Sequence, residues 1–214
     1  MIIIPIGVQC SNAIFKKDIN KSSRTLPFDW IFATPKFVFE MLELLLDRSM
    51  NINELVEKHF FLCEKRANVN TLENYYSDDN GTSLYNVKYK SIFPHDTYSR
   101  ETIDKYIRRF HRLKDIILNS DEKLCFIYTS QSSLHNGNFT IDGEQVVYDV
   151  YTYLSKIYRL IGKYNNNYKI IVFDAVNQED KILLDENIVL YKLNPSDKWQ
   201  ELVSQMYAYK NLFE

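Results

Sequence analysis

Four short runs of the chain are almost wholly apolar: Ile2 to Ile6, Leu124 to Tyr128, Lys169 to Phe173 and Ile188 to Leu193. None alternates cleanly between apolar and polar positions, as a strand with one wet face does. The runs therefore predict strands covered on both faces, the habit of a parallel sheet. Pro5 weakens the first of them by removing a ladder donor. Between the runs the apolar period changes to that of helices. Thr34 caps one predicted helix with Pro35 at its first position, and Phe37, Val38, Met41, Leu42, Leu44 and Leu45 give it a broad buried face. Ser99 caps a second, with Glu101 in its first turn and Ile103, Ile107, Phe110, Leu113 and Ile117 at three- and four-residue steps. Val146 through Ile161 forms a third, ending near Gly162, and Trp199, Leu202, Val203 and Met206 mark the last.

Helices alternating with buried strands predict an α/β fold: a layered, Rossmann-like, mainly parallel sheet of about four to five strands with helices on both faces. Two stretches break the alternation, a polar, Tyr-rich one at 64–98 and a Ser-, Asn- and Gly-rich one at 130–144. Stretches of that length are more often functional or locally folded than idle. At 214 residues the whole of 1–214 is expected to form one domain with these two excursions.

Composition mainly excludes. A net charge of -2 gives no general bias toward nucleic acid, and no apolar run reaches the roughly 18 residues of a membrane helix. The N-terminus lacks the pattern of a secretory signal, and three sparse cysteines, Cys10, Cys63 and Cys125, argue for a reducing, cytoplasmic setting (host cytoplasm for a viral protein). No Cys/His spacing suggests a metal, and no glycine-rich phosphate loop or G-x-S-x-G elbow occurs, so no cofactor is expected.

Ligands of open α/β sheets bind beyond the carboxyl ends of the strands. The residues there are Gln9, Cys10, Ser11 and Asn12; Thr129, Ser130, Gln131 and Ser132; Asp174 and Asn177; and Asn194, Ser196 and Asp197. Cys10 is the one strong nucleophile among them. Ser11 or Asn12 could cap a short helix that sets Cys10 beside unpaired amides, which would favour thiolate and offer an oxyanion hole. Of four histidines, His95 is the best base: Pro94 stiffens its approach, and Asp96 or Asp174 could hold its ring. His59 reads as packing, His111 as a helix-face residue, and His135 lies in the Ser-rich stretch. On the Ser99 helix, Lys105, Arg108 and Arg112 share a face, with Arg109 beside them, and could grip an anion; the plainer reading is a solvated face.

Three islands together, Ile6 to Ala13, Leu26-Pro27-Phe28-Asp29-Trp30-Ile31, and Phe93-Pro94-His95-Asp96 followed by Tyr106 to Phe110, resemble a family of bacterial and viral proteins labelled papain-like cysteine peptidases. The resemblance implies that Cys10 and His95 are nucleophile and base, with Asp29 and Asp96 as orienting carboxylates. A papain-like fold would pair a helix-borne Cys with antiparallel strands, whereas the periodicity implies a layered parallel sheet.

The first functional expectation is thus a thiol-dependent hydrolase or acyl transferase acting on a peptide or small molecule. The second is a glycan- or nucleotide-related transferase or binding protein using the basic helix, with Asp29, Trp30 and His95 near the ligand. The third is a non-catalytic viral or host-interaction module. No membrane partner and no general nucleic-acid binding are expected. Trp30 and Phe28 are expected to be buried wedges that aim Asp29 at the site.

Overall fold

The computed structural model describes residues 1–7, 10–21, 23–61, 66–70, 82–130, 140–141, 143–176, 187–196 and 198–213. In chain order the elements are β1 (Ile2–Pro5), α1 (Cys10–Ile19), α2 (Pro35–Leu46), α3 (Ile52–Glu54, continued by a π-helical stretch Leu55–Phe60), β2 (Arg66–Asn70), β3 (Thr82–Tyr85), β4 (Ile92–Phe93) and α4 (Arg100–Asn119). They continue with β5 (Leu124–Thr129), β6 (Thr140–Ile141), β7 (Glu144–Gln145), α5 (Val150–Ile161), β8 (Tyr168–Asp174), β9 (Ile188–Lys192), α6 (Trp199–Met206) and a 3-10 stretch Tyr207–Phe213.

The four apolar runs form one parallel sheet in the order β1-β5-β8-β9. In register, Ile4 sits beside Phe126, Phe126 beside Ile170 and Ile170 beside Ile188. This row enters the apolar cluster shared with α2, α4 and α5, through Met41, Leu113 and Ile157 among others. Neighbouring positions of opposite parity, Ile3, Cys125, Ile127 and Ile171, enter a second cluster with Phe15 of α1 and Leu202 and Met206 of α6. Helices therefore cover both faces, which explains why the strands read as continuous apolar runs. Pro5 is tolerated because β1 is an edge strand. The amide of Ile2 donates to the Lys123 carbonyl just before β5 and that of Ile6 to Ile127 within it, so that of residue 5, of opposite parity, would face away.

The helix ends follow the caps read from the sequence. Thr34 Oγ1 accepts from the Phe37 amide at 3.2 Å and Ser99 Oγ from Thr102 at 3.2 Å. The third helix starts later than its apolar pattern, at Val150, because Asp149 accepts from the Thr152 amide at 3.0 Å and caps it there. Val147, outside the helix, is exposed.

The excursions hold a second, antiparallel sheet in the order β4-β3-β2-β6-β7, in which Val69 of the first excursion pairs with Ile141 of the second. Its residues Leu84, Ile92, Phe93 and Ile141 join the same cluster as Ile4 and Phe126 of the parallel sheet. No helix among the described residues is long and apolar enough to cross a membrane.

Candidate active site

The end of β1 feeds directly into α1 through Gly7, where close approach demands a glycine. A Cβ there would stand 2.7 Å from Asn12 Nδ2 and 2.8 Å from the Thr129 amide nitrogen. Asn12 is fully buried and accepts from Thr129 Oγ1 at 2.6 Å, tying the first turn of α1 to the end of β5. Cys10 is the first residue of that helix and only half-buried. Since α1 already begins at Cys10, Ser11 and Asn12 lie within its first turn and are not its caps. Gln9, before it, is outside the described residues, as are Cys63, Gln131, Ser132, His135, Asn177 and Asp197. Ser11 Oγ and Asn12 Nδ2 are buried without a hydrogen-bond partner among the described residues.

His95 arrives from the other sheet, on the turn that follows β4. The residues on either side of it are anchored. Phe93 stacks on Phe61 with ring centroids 4.8 Å apart and meets Phe60 at 5.2 Å, inside a buried aromatic group that includes Phe28, Phe37, Tyr106 and Phe110. Asp96 accepts from Tyr106 Oη at 2.6 Å and from Lys105 Nζ. The imidazole between these anchors is exposed, and its Nε2 stands 3.5 Å from Cys10 Sγ. Residues 85 positions apart are thus within contact of each other.

The carboxylates are engaged elsewhere. Asp96 is held by α4, and Asp174 accepts from Ser130 Oγ at 2.6 Å and Tyr151 Oη at 3.0 Å. Asp29, almost wholly buried, binds Lys16 Nζ of α1 at 2.9 Å and the Leu26 amide at 3.0 Å through Oδ2. Among the described residues none of the three hydrogen-bonds His95. The Pro-Phe-Asp-Trp island instead ties parts together: Phe28 packs on Phe110 of α4 at 5.9 Å while Asp29 grips the helix that carries Cys10. Burial opposes both charges of that pair, pushing the Asp29 carboxyl up and the Lys16 ammonium down. Trp30, expected to be buried, is only half-buried, unlike Phe28.

The basic face of α4 is likewise divided. Lys105 pairs with Asp96, Arg109 lies over the Tyr106 ring at 4.9 Å, Arg112 donates to the Thr25 carbonyl, and Arg108 is exposed. Lys105 and Arg112, taken in the sequence as parts of one anion grip beside His95, serve different internal partners.

Burial also decides the state of the thiol. It pushes Cys10 up to about 11, against the smaller opposing effect of the backbone amide at the same residue. The sequence had suggested the reverse, a thiolate favoured by a helix end. Desolvation thus favours the thiol over the thiolate at Cys10, with a ring nitrogen of His95 within reach. Such an arrangement suits attack on a carbonyl with simultaneous proton transfer.

A family model described as "Putative papain-like cysteine peptidase" matches residues 1–174, a span that contains both Cys10 and His95. No curated protein and no solved structure matches the chain.

Proposed function

Since the chain belongs to that family of papain-like cysteine peptidases, we propose that it is a thiol-dependent hydrolase or acyl transferase with Cys10 as nucleophile and His95 as general base. The observation that carries this reading is the 3.5 Å approach of Cys10 Sγ to His95 Nε2. Sγ attacks the acyl carbon as its proton passes to Nε2. His95 then returns the proton to the leaving group, and water or another acceptor resolves the thioester. Amides in the first turn of α1, near Ser11, stabilise the oxyanion. Asp29 and Asp96 are positioning residues: one fixes the helix of the nucleophile, the other the turn of the base. The helix-borne Cys facing a His from an antiparallel sheet supports the family's papain-like label, although the Cys-bearing helix springs from a parallel sheet. One domain in a reducing, cytoplasmic setting suits a reaction that needs a free thiol.

Incubation with p-nitrophenyl acetate tests the reading. Intact-mass and peptide spectra should show an acetyl group on Cys10, absent in Cys10→Ala. His95→Ala should slow acetylation by about 100-fold or more. Equal acetylation with and without His95 would remove the base from the scheme.

A further inference from the structure

A cleft lies at the end of the parallel sheet opposite Cys10. It encloses about 290 Å³ and is walled by Ile3 of β1, Lys16 of α1, Arg24 and Leu26 of the following loop, and Arg112 and Ile116 of α4. Chain direction separates it from the thiol. β1 starts here and leads away toward Cys10, and α1 then runs back about 15 Å from Cys10 to Asn20 on the cleft wall.

Positive charge is in excess around this cleft. Lys16, Arg24, Arg109 and Arg112 are near enough to influence one another or Asp29, the buried carboxylate among them, and Asp29 is already taken by Lys16. Among the described residues Arg24, Arg109 and Arg112 make no ion pair; Arg109 lies on Tyr106, and Arg112 donates to the Thr25 carbonyl. Two carboxylates also line the cleft: Glu122 pairs with the N-terminal ammonium, while Asp115, which accepts from the neutral Asn119 amide, keeps its charge and offsets one of the cations without outnumbering them. Burial and the neighbouring arginines together depress Arg112 below its ordinary value, so a counter-charge placed here relieves a repulsion built into the fold.

We propose that this cleft binds a small organic oxyanion, its phosphoryl or carboxylate head held by Arg24 and Arg112 and its apolar body laid against Ile3, Leu26 and Ile116. Guanidinium forks match the paired oxygens of either head. The volume is at the lower edge of the roughly 300–1,000 Å³ of ligand pockets, enough for a body of one ring and too small for a dinucleotide. Lys16, which lines the site and is held from behind by Asp29, belongs to α1, so a ligand here touches the same helix that presents Cys10.

Calorimetric titration of the whole chain at low salt with inorganic phosphate, phenyl phosphate and benzoate tests this. The aromatic anions should bind at millimolar concentration or below, at least about tenfold more tightly than inorganic phosphate, which has no apolar body. A preference for phenyl phosphate assigns a phosphoryl head and a preference for benzoate a carboxylate. Arg24→Gln, at an exposed position, should weaken binding about tenfold without changing the melting temperature. Arg112→Lys should weaken it too, by losing the fork while keeping the charge. Cys10→Ser should bind like the parent, which separates this site from the thiol chemistry. No binding of any of the three at 10 mM (about the weakest level worth testing), or binding that Arg24→Gln leaves unchanged, would overturn the proposal.

Discussion

The ionisation of Cys10 can be followed directly by alkylation across pH. With the thiol pushed up to about 11, against about 8.5 for free cysteine, the thiolate fraction at pH 7 falls from about three in a hundred to about one in ten thousand. That is roughly a 300-fold deficit. A more basic thiolate is the better nucleophile, with a Brønsted slope of about 0.4–0.5, which restores a factor of about ten to twenty. Iodoacetamide should therefore modify Cys10 of the folded protein at pH 7 about 20–30-fold more slowly than free cysteine, and the rate should keep climbing about tenfold per unit past pH 9. Peptide mapping separates Cys10 from Cys125, which burial pushes up to about 12 and which should lag further. A rate that reaches its plateau below pH 8 would refute the reasoning. Cys10 would then rest as a thiolate, desolvation having been outweighed.

Gly7→Ala should destabilise the fold by about 1–3 kcal/mol, since the new methyl meets Asn12 and the backbone of β5; a denaturant midpoint equal to the parent's would contradict the contact. Asp29→Ala should cost about 3–5 kcal/mol by stranding the buried Lys16 ammonium, and adding Lys16→Met should recover a large part of it in the same melts. Phe28→Ala should cost about 3–5 kcal/mol, while Trp30→Ala, at a half-buried position, should cost less than half as much. Equal losses would return Trp30 to the core.

The parallel sheet and four of the helices were legible because each signal is local. A strand buried on both faces shows as a run such as Leu124 to Tyr128, and caps such as Thr34 and Ser99 lie beside the residues they serve. The antiparallel sheet was not, because its pairings, such as Val69 with Ile141, join two excursions through very short strands. The segment Ile52 to Phe60 was also missed; its three-residue helix passes into a π-helical stretch that keeps no 3.6-residue period. The approach of Cys10 to His95 was expected from residue type and from the company of Gly7 and Pro94. The partners of the carboxylates were not. Adjacency to His95 made Asp96 look like its partner, yet a side chain next in sequence can point away, and Asp96 turns to Tyr106. The same holds for α4, where a shared helical face conceals that Lys105 and Arg112 reach different neighbours.

The placement of β1 sets an order of events during synthesis. Its partner in the sheet is β5, with Ile2 opposite Leu124, so β1 has no neighbour in that sheet until more than a hundred further residues have been made. Contacts so distant in sequence are slow to form. The helix that carries Cys10 is tied through Asn12 to Thr129 at the end of β5, which is made after His95. A nascent chain halted before β5 would carry both the thiol and the imidazole without the framework that joins them. A premature stop anywhere upstream of residue 124 should therefore yield a product in which Cys10 and His95 are not held together.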